Sequence, residues 1–597
     1  MSEHALIQLA SIITLGILAQ WLAWRFHLPS ILLLLLFGFF AGPITHLIDP
    51  DTLFGDLLFP LVSISVAIIL FEGGMSLRLQ ELQEVGSAVR NLITLGALVT
   101  FMVIAVAAYY FLQLDIELAL LLGGILTVTG PTVVLPLLRQ IRPTERVSSI
   151  LKWEGILIDP IGAILALLIF EGILLEHVQA ATPIILLILV KTILIGILLG
   201  GLGAGAMIWL LRRHRIPDFL QNPMALVLVV ALFAVSNLFQ DESGLLTVTL
   251  MGVILANQKY VTVKHIIEFK EILRVLLISS LFILLAARLK LETLAIINTS
   301  TFIFLGAVIL VARPLAVFIS TLFSRLPFRE KLLISWLAPR GIVAAAVSSV
   351  FAIYLQEAGF SQAERLVSVT FLTIIATITV YGLTAPFLAK KLGLSYTNPQ
   401  GLLFLGAHFW ARKLAKLLSE EGIPVLLVDS NLKNIQLARG MKLCTYHGNG
   451  LSENVLEEVD LTGIGRMLAI TSNDEVNSLA TLFYADVFSS RDVYQLSPSG
   501  NHKAEEDIAS ELTGRILFSP EATFGFIQEK IQGGFQFRVV PLTDTLDYAS
   551  FKQSHPKALP LFVITPDRQL LVVSVGEEVD PPPGARVVVL MPEQDAA

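Results

Sequence analysis

The chain has 597 residues, 55% of them hydrophobic and 15% charged, with a net charge of −7. A soluble chain of this length carries about 25% charged residues, so a wholly soluble protein is excluded. The lone cysteine, Cys444, excludes an intrachain disulfide and a cysteine-rich metal site and suits a reducing compartment. No nucleic-acid partner is expected.

The charge deficit is uneven. Up to about residue 392, apolar runs follow one another, each long enough to cross a hydrocarbon core of about 30 Å. Hydropathy places about thirteen spans near 6–24, 29–48, 57–76, 91–112, 117–138, 150–174, 183–211, 222–239, 243–258, 271–289, 296–323, 331–355 and 366–389. Beyond about 395 the composition is that of a soluble α/β domain. The expected architecture is an all-α polytopic membrane domain over 1–392, with inverted repeats and broken helices. A Rossmann-like α/β domain over 398–535 and a small β-rich module over 536–597 follow it. The first apolar run follows "MSEH" without the basic region or cleavage site of a secretory signal, so none is expected.

Loop charge sets an expected orientation. One alternate set of loops holds Arg25, Arg78, Arg90, Arg142, Arg213, Lys264, Lys270, Arg329 and Lys391. The other has little basic charge beyond Arg288, Lys290 and Arg365 but includes Asp51, Asp115 and Asp241. Positive loops stay inside, which puts the N-terminus outside and the C-terminal domain in the cytoplasm, in an inner or plasma membrane.

Ionisable residues within spans are costly and usually functional. The candidates are Glu72, Glu154, Asp159, Lys191, Arg313 and Arg340. Glu72 reads equally well as a solvated helix end, and Lys191 and Arg313 as snorkelling or structural groups. Glu154 and Asp159 are five residues apart, about 140° around a helix, so they share no face and no proton. The economical pairing gives Glu154 to Arg340. Asp159 is then left without a fixed cation and must protonate or bind one, which is the requirement for cation/proton exchange.

Two spans carry matching interruptions. "TVTGPTVV" has Gly130 and Pro131, and "LAPRGIVA" has Pro339 and Gly341. Each proline removes a backbone donor, and broken helices at membrane depth line cavities. Seven spans separate them, as in inverted repeats around a transport site.

The segments "HLPSILLLLLFGFFAGP", "LFEGGMSLRL", "TVTGPTVVLPLLR", "EGILIDPIGA", "VARPLAVF" and "APRGIVAAAV" resemble, in order, those of the Na+/H+ exchangers of the cation:proton antiporter-1 family. The resemblance covers about residues 5–392. It implies a thirteen-span inverted-repeat fold, a core bundle rocking against a dimerising scaffold, and therefore a homodimer. Asp159 matches the family's cation- and proton-binding aspartate, Glu154 and Arg340 a structural ion pair, and Thr129 an unwound-helix threonine near the ion. The chain departs from the family at Gly130, where Asp is usual, at Ile158, where Asn is usual, and at Gly155, where Ser is common.

From 401 the pattern is strand, turn, helix, strand, through "GLLFLGAHFWARKLAKLLSEEGIPVLLVDS". It resembles the TrkA-N or RCK-type regulatory domain of potassium channels and efflux systems. Asp429 follows Gly406 by the spacing at which a Rossmann acid meets a ribose. Gly406 and Ala411 fit the first and third fingerprint positions, but His408 holds the second. An imidazole there either contacts phosphate or blocks the site, so NAD(H) or an adenine nucleotide is a candidate ligand and the balance leans to a degenerate site. Asn473, Asp474 and Asn477 match a polar loop of the same family. The C-terminal strands "LFVIT", "QLLVVSV" and "ARVVVLM" are similar to the module that follows such domains. The expected function is a secondary antiporter exchanging Na+ or K+ for H+ and regulated by the cytosolic domain. The alternative is an RCK-gated K+ channel or K+ efflux system. A membrane-tethered oxidoreductase fits less well, because the glycine fingerprint is damaged and no catalytic cluster is evident.

Overall fold

The computed structural model describes residues 2–597 apart from 27, 175–177, 262–263, 290–297, 361, 396–398, 453–454, 456–458, 460, 462, 500–513, 544–546, 578 and 594–597. Lys290, the side chains of Lys264 and Lys270, and the expected boundary at 398 lie outside the described residues. Two compact units divide the chain, Met1–Ser395 and Tyr396–Ala597.

The first unit is helical. Its helices are α1 (Ser2–Phe26), α2 (Ser30–Phe39), α3 (Pro50–Phe54), α4 (Leu58–Met75), α5 (Leu82–Asn91), α6 (Ala97–Leu112), α7 (Ile116–Ile125), α8 (Pro131–Ile141) and α9 (Glu145–Leu174). They continue with α10 (Val178–Arg212), α11 (Asp218–Phe239), α12 (Ser243–Asn257), α13 (Lys264–Ala287), α14 (Thr299–Ala307), α15 (Arg313–Ser320), α16 (Phe328–Trp336), α17 (Ile342–Glu357) and α18 (Ala363–Leu392). Among the described residues, eight helices are long and apolar enough to cross a membrane, and five further apolar helices are shorter. These fall on the apolar runs expected from the sequence. The apolar stretches of α9 and α18 are 56% buried, against 17% for α1. The interior of the unit is therefore built on α9 and α18, while α1 presents its apolar surface outward, as a lipid-facing helix does.

Two of the expected spans are interrupted. Helix α7 ends at Ile125, and α8 starts with Pro131 at its first turn, where a missing N–H costs nothing. Helix α16 ends at Trp336, and α17 begins after Gly341. Between each pair the chain is not helical. Pro339 lies in the second gap and holds the residue before it away from helical geometry.

In the second unit, strands β1 (Gly401–Leu405), β2 (Val425–Asp429), β3 (Cys444–His447), β4 (Ile464–Ala469), β5 (Val493–Gln495) and β6 (Arg515–Ile516) form a parallel sheet in the order β3-β2-β1-β4-β5-β6. That is the doubly wound order, with a switch point between β1 and β4. Helices α19 (Phe409–Glu420), α20 (Leu432–Gly440), α21 (Asp474–Phe488) and α22 (Phe524–Gln532) accompany it. β1 is buried throughout, as a central parallel strand should be. Strands β7 (Phe535–Pro541), β8 (Leu559–Ile564), β9 (Leu570–Val572) and β10 (Arg586–Pro592) make a separate antiparallel sheet in the order β7-β10-β8-β9. Phe518 N–H donates to Val573 O at 2.8 Å, joining the end of the first sheet to this module.

Candidate functional site

The two breaks meet. Gly130 N–H donates to Pro339 O at 3.3 Å. A Cβ built on Gly130 would stand 2.3 Å from the Gly341 Cα, and one on Gly341 would stand 2.5 Å from the Gly130 Cα. Only a pair of glycines lets two backbones approach this closely. Gly130 is therefore used as a contact surface, which accounts for the absence of an acidic side chain there.

Helix α9 runs beside this crossing. A Cβ on Gly155 would rest 3.5 Å from Val134, and one on Gly162 would be 2.2 Å from a Val128 methyl. Residues 155 and 162 are seven apart, about 20° from sharing one direction. Asp159 lies between them, within about 40–60° of either, so it faces the interrupted chain between Val128 and Val134. It is 1% exposed, and neither carboxylate oxygen has a hydrogen-bond partner. Two hydroxyls on the interrupted segment, Thr129 Oγ1 and Thr132 Oγ1, are likewise buried without a partner. Thr132 was not singled out from the sequence. Its signal was available, since a hydroxyl in the first turn of α8 stands just past the break.

Glu154 precedes Gly155 by one residue, a turn of 100° away from the crossing. Its partner is Arg313, not Arg340. The Arg313 guanidinium donates through Nη1 to Glu154 Oε1 and through Nη2 to Oε2 at 2.8 Å. Arg313 Nε also donates to Ile334 O at 3.2 Å, so one side chain ties α9, α15 and α16 together. The expected Glu154–Arg340 pair is thereby corrected. Both Glu154 oxygens are occupied, and Arg340 is turned toward the end of α7, where Nη1 donates to Thr127 O and Val128 O, each at 3.2 Å. A cation at the C-terminal end of a half-helix meets the negative pole of its dipole and its orphan carbonyls. The Arg340 backbone N–H donates to Thr377 Oγ1 at 3.3 Å, fixing the second break to α18. A cavity of about 10 Å³, room for about one water, lies against Thr127, Thr129, Glu154, Ile158, Arg313 and Arg340.

The other intramembrane candidates have separate places. Glu72 is not solvated; it is 3% exposed and accepts from Arg274 Nη1 at 2.6 Å. Lys191 is exposed on α10. Among the described residues, no group of His, Cys, Asp and Glu is arranged to hold a metal ion.

In the second unit, Gly406 has φ +111° and turns the chain from β1 toward α19. His408 precedes α19, and its Nε2 lies 2.7 Å from Ile470 O. Its ring stands edge-on to Trp410 and Phe524, with centroids 4.4 and 4.9 Å away. Asp429 ends β2, and its Oδ2 accepts from Ala407 N–H at 2.8 Å. Asn473 is not drawn into this group; it caps α21, accepting from Val476 N–H at 2.9 Å. Asn477 Oδ1 accepts from the Thr471 hydroxyl at 2.7 Å.

A family described as "Sodium/hydrogen exchanger, transmembrane" matches residues 9–391, and one described as "TrkA-N domain" matches residues 403–501. The K(+)/H(+) antiporter NhaP of Alkalimonas amylolytica is 29% identical over 395 residues, covering 65% of this chain and 66% of that protein. The chain thus spans about two thirds of that relative's length. The Na(+)/H(+) antiporter 1 of Methanocaldococcus jannaschii is 27% identical over 403 residues, covering 64% of this chain and 94% of that protein. The solved structure of the sodium proton antiporter MjNhaP1 from M. jannaschii at pH 8 superposes with a TM-score of 0.56 at 25% identity, over 65% of this chain and 98% of that one.

Proposed function

The chain belongs to the sodium/hydrogen exchanger family, and from that premise we propose that it is a secondary antiporter. It exchanges a monovalent cation, Na+ or K+, for H+ by alternating access, with Asp159 as the shared site. One observation carries the reading. The Asp159 carboxylate is buried with both oxygens unpartnered, while the two nearby cations are committed, Arg313 to Glu154 and Arg340 to the carbonyls of Thr127 and Val128. A buried carboxylate is stable when protonated or when it holds a cation, and the two states exclude one another. Competition at one site is the exchange reaction. The hydroxyls of Thr129 and Thr132 complete an oxygen shell for the ion.

Gly130 and Ile158 add no charge beside Asp159. One carboxylate then binds one monovalent cation or one proton, and the exchange is one for one and electroneutral. The interrupted pairs α7/α8 and α16/α17 form the moving core, and the chain works as a homodimer in an inner or plasma membrane. The N-terminus is outside, and the TrkA-N-like unit is cytoplasmic and regulatory. A channel has no evident use for a carboxylate enclosed at the centre of the fold. The test is cation-driven proton movement in everted vesicles, comparing Na+, K+ and Li+. Asp159→Asn should abolish it in a protein that remains folded; transport at the wild-type rate would remove Asp159 from the mechanism.

A further inference from the structure

A Rossmann turn that holds a dinucleotide must keep three things free: space above the second fingerprint position, the N–H groups of the turn, and the carboxylate after the second strand. In this chain the space and the carboxylate are taken by the protein, and so is the Ala407 N–H of the turn. The His408 ring folds back over the turn, with its Cδ2 3.4 Å from where a Cβ on Gly406 would stand. The ring is held there from both sides. Its Nε2 lies 2.7 Å from Ile470 O, just past the end of β4, so it donates to that carbonyl. Its faces and edges meet Trp410 of α19 and Phe524 of α22. Phe524 is brought by a helix more than a hundred residues later in the chain, so the closure is tertiary.

The acid is equally engaged. Asp429 Oδ2 accepts from Ala407 N–H at 2.8 Å and from Asn434 Nδ2 at 2.9 Å, and Oδ1 accepts from Asn431 N–H at 2.8 Å. A ribose hydroxyl would have to displace one of these donors. The Arg412 guanidinium donates to Ala407 O and to Asn434 Oδ1 at 3.3 Å. The turn N–H, the ribose acid and the nearest cation thus satisfy one another. Burial keeps the imidazole neutral at cytosolic pH, so it offers a diphosphate no charge.

We propose that the nucleotide cleft of the TrkA-N-like unit is filled by its own side chains, with His408 as the plug, and that this unit binds no dinucleotide or adenine nucleotide. His408 is the residue that sets this property, because a glycine there would leave the turn open.

The test is isothermal titration of the full-length chain in lipid nanodiscs with NAD+, NADH, AMP and ATP in turn. The wild type should show no binding up to about 1 mM, and His408→Gly should bind at least one of the four about tenfold tighter than that limit or better. Should His408→Gly fold poorly, His408→Ala removes the same ring and its Ile470 hydrogen bond, and the same gain is expected. Wild-type binding with a Kd below about 1 mM would overturn the proposal. Folded His408→Gly and His408→Ala proteins that both fail to bind would overturn His408 as its cause. The titration reads binding alone, so its result is distinguishable from any failure of the antiport reading.

Discussion

Removing Arg313 strands Glu154 inside the membrane unit. Both side chains are 5% exposed, so solvent screens little of their interaction. Breaking a buried pair by deleting one partner costs about 3–5 kcal/mol, because the survivor is an uncompensated charge. Arg313→Met should fall in that range, and the Ile334 carbonyl that Arg313 also serves keeps the Leu337 N–H as a donor at 3.3 Å. Glu154→Gln with Arg313→Met removes both charges, so most of the penalty should disappear. Arg340 supplies the control. Glu154→Gln with Arg340→Met should show no such recovery, because Arg340 serves Thr127 O and Val128 O. Thermal unfolding in detergent, read as the monodisperse fraction that survives heating, measures the wild type and these three variants. Recovery in the Arg340 double variant, with none in the Arg313 double variant, would refute the pairing.

Gly130→Ala places a methyl group 2.3 Å from the Gly341 Cα, where no side chain can yield. It should cost about 1–3 kcal/mol of stability and lower vesicle transport; a fully active, fully stable variant would contradict the crossing. Exchange should be insensitive to an imposed membrane potential, and a rate that follows the potential would rule out one-for-one coupling. Burial holds the His408 imidazole down at about 4, with the Ile470 carbonyl and Asp429 opposing the shift and Arg412 adding to it. Its neutral form is favoured in the folded unit. The stability it contributes is complete above about pH 6.5 and is lost as pH falls toward 4, by about 1.4 kcal/mol per unit. Thermal unfolding of the full chain followed by fluorescence, compared with His408→Phe, should show that acid-side loss only in the wild type.

Much of this architecture was legible in the residues. Long apolar runs marked the spans because a membrane rejects unpaired backbone and charge. Gly130, Pro131, Pro339 and Gly341 marked the breaks because proline removes a donor and glycine tolerates the turn. The choice of partner for Glu154 was not legible. Arg313 and Arg340 are both mid-span arginines, and a π-helical turn at Val308–Ala312 stands immediately before Arg313. Such a turn resets which side chains face inward, and a constant angle per residue cannot anticipate it. The strand β7 also emerged only from the fold, since its pairing along β10 is what defines it.

Residue order and helical angle establish that Asp159 is an acid in an apolar span and that it shares no proton with Glu154. Residue order also places the two interruptions seven spans apart. Packing sets the contact of the interruptions through Gly130 and Gly341, the pairing of Arg313 with Glu154, and the hold of Phe524 and Ile470 on His408. The reason is physical. Helical angle and backbone propensity are local and can be read along the chain. The neutralisation of a buried charge depends on which distant side chain arrives within hydrogen-bond reach, and packing settles that.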